Sequence, residues 1–192
     1  DNNGCTASVS HEVTSPAPLT LQVADMKNIS CFNGEDGFIV LRAGGGASQY
    51  QYSKDSAVWQ PSTTFDRLPI GDYELYVRDA NSCTNKASQL LSQPTQINID
   101  FSNIEPAYCA NPIGRATGVV SGGVGNYRYE WRPDGQAQIL STTDLLADVP
   151  AGIYELFISD GNSCPANNAV AITSTDGAKT TYRSTAAKCF DS

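Results

Sequence analysis

Apolar side chains recur at every second position in short runs. Leu19-Thr-Leu-Gln-Val23, Tyr73-Glu-Leu-Tyr-Val77 and Ile97-Asn-Ile-Asp-Phe101 each put three apolar residues on one face, the pattern of half-buried β-strands. Phe38-Ile-Val-Leu-Arg-Ala43 is nearly continuous and suits a strand against a sandwich core. Further strands are expected at Tyr50-Gln-Tyr52, Val58-Trp59, Thr63 to Leu68, Lys86 to Leu91, Gly118 to Val120, Tyr127 to Trp131 and Ala169 to Ile172. Turn chemistry separates them: Asn33-Gly-Glu-Asp-Gly37, Gly44-Gly-Gly46, Pro69-Ile-Gly71 and Asp79-Ala-Asn-Ser82 supply the residues that tight turns require. No amphipathic helix emerges, so the chain reads as all-β.

The pattern is written twice. Leu68-Pro-Ile-Gly-Asp-Tyr-Glu-Leu-Tyr-Val-Arg-Asp-Ala-Asn-Ser-Cys83 returns almost position by position as Val149-Pro-Ala-Gly-Ile-Tyr-Glu-Leu-Phe-Ile-Ser-Asp-Gly-Asn-Ser-Cys164. Gly37 to Gly114 and Tyr50 to Tyr127 are 77 residues apart, whereas Tyr73 to Tyr154 is 81. Four residues are therefore inserted around Arg132 to Asp148, where a loop is expected, because lengths vary where packing does not fix them. Prolines at Ser15-Pro-Ala-Pro18 and Pro94 punctuate the chain. The division that follows is the last strand of an upstream repeat over residues 1–16, one repeat over 17–94 and a second over 95–175. Residues 176–192 read as a linker and the start of a further repeat. Asp1 is read as a processing or fragment boundary.

Composition narrows the function classes. A formal charge of −8 and pI near 4.5 argue against nucleic acid or an anionic membrane as partner, since both require basic patches. No apolar run approaches the roughly 18 residues that span a bilayer. Six cysteines alternate between two contexts. Cys5, Cys83 and Cys164 end the Asp-x-Asn-(Gly/Ser)-Cys turn, and Cys31 and Cys109, with Cys189 as a further candidate, stand before the first Gly-containing turn. This regularity indicates a disulfide framework and an oxidising compartment. With one histidine and no C-x-x-C spacing, a zinc site is not expected.

Taken in order, Cys-x₅-Gly, Gly-Gly followed by Tyr-x-Tyr, Leu-Pro-x-Gly-x-Tyr-x-Leu-x-Val and Asp-x-Asn-(Gly/Ser)-Cys resemble the SprB-type repeat. This repeat is found in tandem in very large surface adhesins of gliding Bacteroidetes. The resemblance covers both whole repeats and the pieces at either end. It implies tandem immunoglobulin-like β-sandwiches, export through the outer membrane by type IX secretion, and a place in a cell-surface filament used for adhesion or gliding. The implied partners are neighbouring repeats and a surface polysaccharide or substratum. Cys109 departs from the pattern, being followed by Ala-Asn-Pro-Ile where Cys31 is followed by Phe-Asn-Gly.

Catalysis needs a nucleophile, a base and an orienting group in reach; His11 is the sole histidine and Glu35-Asp36 the sole adjacent carboxylate pair, and both read as solvated. Asp79, Asn81, Asp160 and Asn162 recur at turn tips and would suit calcium, but the same spacing is what an Asx turn requires, and the turn is favoured. Trp59 and Trp131 would serve a carbohydrate-binding module if exposed, against the alternative of core or rim. Asp55-Ser56-Ala57 resembles a Bacteroidetes O-glycosylation site, with Ser56 as acceptor.

Disulfide pairing turns on strand parity. An odd number of reversals between the strand after Cys31 and the strand before Cys83 brings those cysteines together; an even number puts them at opposite ends, and the short Val58-Trp59 segment is the undecided strand. Cys31–Cys83 and Cys109–Cys164 are the favoured pairs, with Cys5 and Cys189 bonded outside this stretch. The rival is cross-linking between adjacent repeats.

Overall fold

The computed structural model describes residues 8–11, 15–108 and 113–175. The chain divides into two compact units, the first ending at Thr95 and the second beginning at Gln96. The first holds β1 (Thr20–Lys27), β2 (Gly37–Gly44), β3 (Gln51–Ser53), β4 (Thr64–Leu68), β5 (Gly71–Arg78) and β6 (Thr84–Leu91). They form two three-stranded sheets, β1-β2-β4 and β3-β5-β6, antiparallel throughout. The chain changes sheet after β2, β3 and β4, so strands adjacent in sequence face each other across the core. That order makes the unit an immunoglobulin-like β-sandwich. The second unit repeats it with β7 (Thr95–Glu105), β8 (Gly114–Gly123), β9 (Arg128–Pro133), β10 (Leu145–Val149), β11 (Gly152–Ser159) and β12 (Pro165–Ile172), in sheets β7-β8-β10 and β9-β11-β12. Among the described residues no helix is long and apolar enough to cross a membrane.

Three local expectations change. The strand at Val58-Trp59 contracts to one bridge, in which the Gln60 N–H donates to Tyr52 O (2.9 Å) and the Tyr52 N–H to Gln60 O (2.8 Å); Pro61 has no N–H with which to extend the ladder. The insertion in the second unit is not all loop, since Arg132 and Pro133 continue β9, six residues of which pair with β11. Residues 8–11, where an upstream strand was expected, form no strand and His11 is exposed; the rest of that segment, apart from residues 15 and 16, and all of 176–192 lie outside the described residues.

The two cores use one frame with different filling. Leu68, Leu75, Val77 and Leu91 of the first core are matched by Val149, Leu156, Ile158 and Ile172 of the second, all buried. On β2 the inward positions are Ile39 and Leu41, but their counterparts on β8 are Ala116 and Gly118. Gly118 takes the place of Leu41 by its bonding: the Leu41 N–H donates to Thr63 O (2.8 Å) and the Gly118 N–H to Asp144 O (2.8 Å). The volume lost there is filled by Leu156 of β11, whose Cδ2 would lie 2.4 Å from a Cβ placed on Gly118, and by Trp131 of β9, which is fully buried, packs its ring 5.7 Å from that of Phe101, and would lie 3.5 Å from the same Cβ. Trp131 is therefore core, which removes it as an exposed glycan platform. Small residues at two inward positions of β8, set beside a tryptophan on the next strand, were the sequence signal for this.

Between β4 and β5 the Leu-Pro-x-Gly-x-Tyr motif forms a tyrosine corner. The Tyr73 hydroxyl donates to Pro69 O (2.8 Å) and the Tyr154 hydroxyl to Pro150 O (2.8 Å), each pinning a sheet-to-sheet crossing to the strand that follows. The role of Trp131 as filler gives a direct expectation: Trp131→Ala destabilises the second unit by about 3–5 kcal/mol, because the small residues around it cannot close the cavity. Urea unfolding followed by tryptophan and far-UV signals checks this, and a change below about 1 kcal/mol would contradict the core assignment.

Candidate functional site

The recurrent polar residues gather at one end of each unit, around the turn from β5 to β6 and its counterpart from β11 to β12. In the first, Asp79 directly follows β5 and its Oδ1 accepts from the N–H groups of Asn81 and Cys83, both at 2.9 Å. The backbone closes the same turn: the Ser82 N–H donates to Asp79 O (3.0 Å) and the Asp79 N–H to Cys83 O (3.0 Å). The other carboxylate oxygen reaches across to the opposite sheet's loop and accepts from the Ala47 N–H at 2.9 Å. Gly46 stands there with φ of 59°, and a Cβ on it would come within 2.6 Å of Asp79 Oδ2, so the Gly-Gly before Tyr-x-Tyr makes room for the carboxylate.

The second unit copies this arrangement. Asp160 Oδ1 accepts from Asn162 and Cys164 (2.9 Å each), Oδ2 accepts from the Val124 N–H (3.1 Å), and Gly123 with φ of 60° meets Asp160 as Gly46 meets Asp79. Asp79 and Asp160 are both buried, and each directs its oxygens at backbone N–H groups. This is Asx-turn chemistry with an added cross-sheet tie. Asn81 and Asn162 contribute their N–H groups to it, with exposed side chains. Among the described residues no group of three or more His, Cys, Asp or Glu is placed to hold a metal ion. The hydrogen bonds, that from Ala47 foremost, hold the Asp79 carboxyl below its usual 3.8.

The remaining candidates do not converge. Asp36 accepts from Lys27 Nζ (2.7 Å) and the Ser30 N–H (2.8 Å), and the Lys27 ammonium foremost holds it well below the usual carboxylate range; Glu35 beside it is exposed. Both lie in the opening loop before β2, away from His11 in sequence and without a nucleophile between them. Ser56 is exposed at a turn tip with φ of 59°, where Asp55 Oδ1 accepts from Ala57 and Val58.

Trp59 is half-buried, and the Arg78 guanidinium lies 4.5 Å from its ring centroid. Arg78 Nε donates to Gln51 Oε1 at 2.7 Å, and Tyr50, Gln51, Pro61 and Arg78 border a polar groove of about 520 Å³. The second unit has Ser159 in place of Arg78. At the matching place it has a smaller groove of about 180 Å³, bordered by Arg128, Glu130 and Ser159, and a further one of about 570 Å³ is bordered by Pro133, Leu140, Pro150, Ile153 and Tyr154. The grooves thus differ where the scaffold repeats.

The cysteines correct one pairing. Cys31 is disulfide-bonded, whereas Cys83 is exposed and free, so Cys31 is not bonded to Cys83. The bridge at Gln60 counts as a reversal, which makes the parity even and sends the two cysteines to opposite ends. Cys31 lies by Ile29, whose N–H donates to Ser92 O (3.0 Å) just past the Gly71–Leu91 end of the β5–β6 pair, while Cys83 lies beyond its Arg78–Thr84 end. Seven steps of about 3.4 Å separate those ends, roughly 24 Å against the roughly 7 Å a disulfide tolerates between Cα atoms. Cys164 is buried and disulfide-bonded. Cys5, Cys109 and Cys189 lie outside the described residues, and with them the Cys109–Cys164 pairing.

No family model matches the chain, and no curated protein does. Among solved structures, it is similar to the C-terminal 282-residue fragment of intimin, in complex with the intimin-binding domain of the translocated intimin receptor. That match has 15% identity and a TM-score of 0.42 over 83% of this chain and 64% of that one. A structure on Dscam isoform specificity matches at 14% identity and a TM-score of 0.38, over 83% of this chain and 46% of that one. The chain therefore spans less than two thirds of the length of either.

The turn carboxylates define the expectation here. Asp160→Ala strips three backbone N–H groups of their acceptor and lowers stability at neutral pH by about 2–4 kcal/mol in urea unfolding. Since the folded carboxyl of Asp79 titrates below its unfolded value, its contribution is present in full above the usual carboxylate range and is lost as pH falls through the folded value. Stability of the first unit therefore drops on acidification below about pH 4. An Asp160→Ala protein as stable as the parent would show that the carboxylate does not hold the turn.

Proposed function

We propose that the chain is a non-catalytic run of SprB-type repeats, serving as structural and adhesive modules of a bacterial cell-surface filament. One observation carries this reading. Every polar feature that recurs between the units, the carboxylate turn and the tyrosine corner alike, serves the scaffold, and what differs between them lies on exposed loops and grooves. A spacer needs a repeated frame, and a contact surface needs variation on that frame. Disulfide-bonded Cys31 and Cys164 fit an oxidising, extracellular setting. In-frame deletion of both units from the parent protein is expected to leave export intact and to impair attachment or gliding, with antibodies to the units staining intact cells. Staining only after permeabilisation would refute the reading.

A second reading, glycan binding, rests on Trp59, Arg78 and Gln51 meeting at the polar groove of the first unit. On this reading a glycan array returns ligands whose binding falls at least tenfold in Trp59→Ala. An array on which the chain binds nothing would count against it.

A further inference from the structure

An aspartate followed by glycine is open to ring closure wherever the glycine nitrogen can reach the aspartate side chain, because glycine has no Cβ to hinder the approach. Three such pairs stand among the described residues: Asp36-Gly37, Asp134-Gly135 and Asp160-Gly161. Closure needs two unencumbered groups, the glycine N–H and the carboxyl. In two of the pairs the fold withholds them.

Asp36 accepts from Lys27 Nζ (2.7 Å) and from the Ser30 N–H (2.8 Å), and Gly37 is buried in β2 opposite Leu68. Asp160 is buried with both oxygens on backbone N–H groups, and the Gly161 N–H donates to Gly125 O at 2.8 Å. Neither pair can close without breaking what holds its loop. The amide version of the pair, Asn33-Gly34, is tied in the same way, since the Gly34 N–H donates to Cys31 O at 2.9 Å.

Asp134-Gly135 is built differently. It is the tip of the turn after β9, where the Asp134 N–H donates to Ile153 O and the Gln136 N–H to Pro133 O, both at 3.0 Å. These bonds hold the residues on either side, while among the described residues the Gly135 N–H has no acceptor and the Asp134 carboxylate no donor. Both residues are exposed, Gly135 stands at φ of 67°, and a Cβ on it would meet nothing within 4 Å. The turn is fixed and its reacting atoms are open.

We propose that Asp134 is a modification site of the folded protein, isomerising spontaneously to isoaspartate through a succinimide closed by the Gly135 nitrogen. The nitrogen attacks Asp134 Cγ: the N–Cγ bond forms, the Cγ–OH bond of the protonated carboxyl breaks, and the amide proton leaves with that hydroxyl as water. A second water adds at the backbone carbonyl carbon of Asp134, whose bond to the Gly135 nitrogen breaks, so that the chain runs on through Cγ. One water leaves and one enters, and the mass is unchanged. The product has one extra main-chain carbon at the rim of the groove of about 570 Å³, which Asp134 and Gln136 help to line. That exposed surface of the second unit alters with age, whereas the carboxylate turn of the scaffold does not.

The test holds the whole folded chain at about pH 5, near the carboxyl range, and maps its peptides at intervals. The expected result is a second peak of identical mass for the Asp134 peptide, preceded by a species lighter by one water. The Asp36 and Asp160 peptides split at least about tenfold more slowly, because each must first open its hydrogen bonds. In urea all three split at comparable rates. Asp134→Glu keeps the charge but would need a six-membered ring, and it loses the second peak while its far-UV spectrum matches the parent. An Asp134 peptide that stays single in the folded chain, or a folded chain in which Asp36 or Asp160 splits first, overturns the proposal.

Discussion

One buried carboxylate at the hairpin end of each unit sets how the two sheets meet. Asp79 directly follows β5 of one sheet, yet its second oxygen accepts from Ala47, in the loop that leaves β2 of the other. Asp160 does the same through Val124. An ionised group at 4–5% exposure costs a large desolvation penalty unless several N–H groups replace water, and three do. The tie therefore forms only when the turn, the glycine loop and both sheets are in place together. At the opposite end Tyr73 and Tyr154 hold the crossing between sheets with a hydroxyl bond to the chain four residues back. Between these two pins the core is free to vary.

It does vary. Ile39 and Leu41 fill the first core from β2, whereas Ala116 and Gly118 leave a gap in the second that Trp131 occupies from β9. Seating the indole needs a longer third strand: β9 pairs six residues with β11 where β3 pairs three with β5. The four inserted residues follow from that. They lengthen a strand and displace the loop after it, so the insertion is coupled to a core substitution and is more than a tolerated surface event.

The fold was legible because its signals are local. Alternation in Leu19 to Val23 and Tyr73 to Val77, and glycine, proline and Asx turns between runs, each depend on a few neighbouring residues, and they recur. The Asx role of Asp79 and Asp160 was legible for the same reason, since Oδ1 bonds only two and four residues on. What Oδ2 does was not, because Ala47 is 32 residues away and nothing in a single sequence marks that contact. Trp131 was favoured as core or rim, and the structure places it in the core; the sequence could not choose between the two because its burial depends on the small side chains of another strand. Parity failed at Val58-Trp59, where a lone bridge at Gln60 reverses the chain without the alternating run that announces a strand. That single reversal decides which cysteines are neighbours.

The placement of cysteines bears on where stability comes from. Many immunoglobulin-like sandwiches join their sheets by a disulfide through the core, which restricts the unfolded chain of the same domain. In the first unit Cys31 and Cys83 lie at opposite ends and are not bonded to each other, and the buried core cluster among the described residues is made of Ile, Leu, Val, Phe and Tyr. A unit of about 80 residues has a modest margin, so the carboxylate tie and the tyrosine corner count for more here than they would in a larger domain. Cys31 and Cys83 bracket the β2-to-β5 stretch from opposite ends, so no bond between them restricts the unfolded freedom of that stretch.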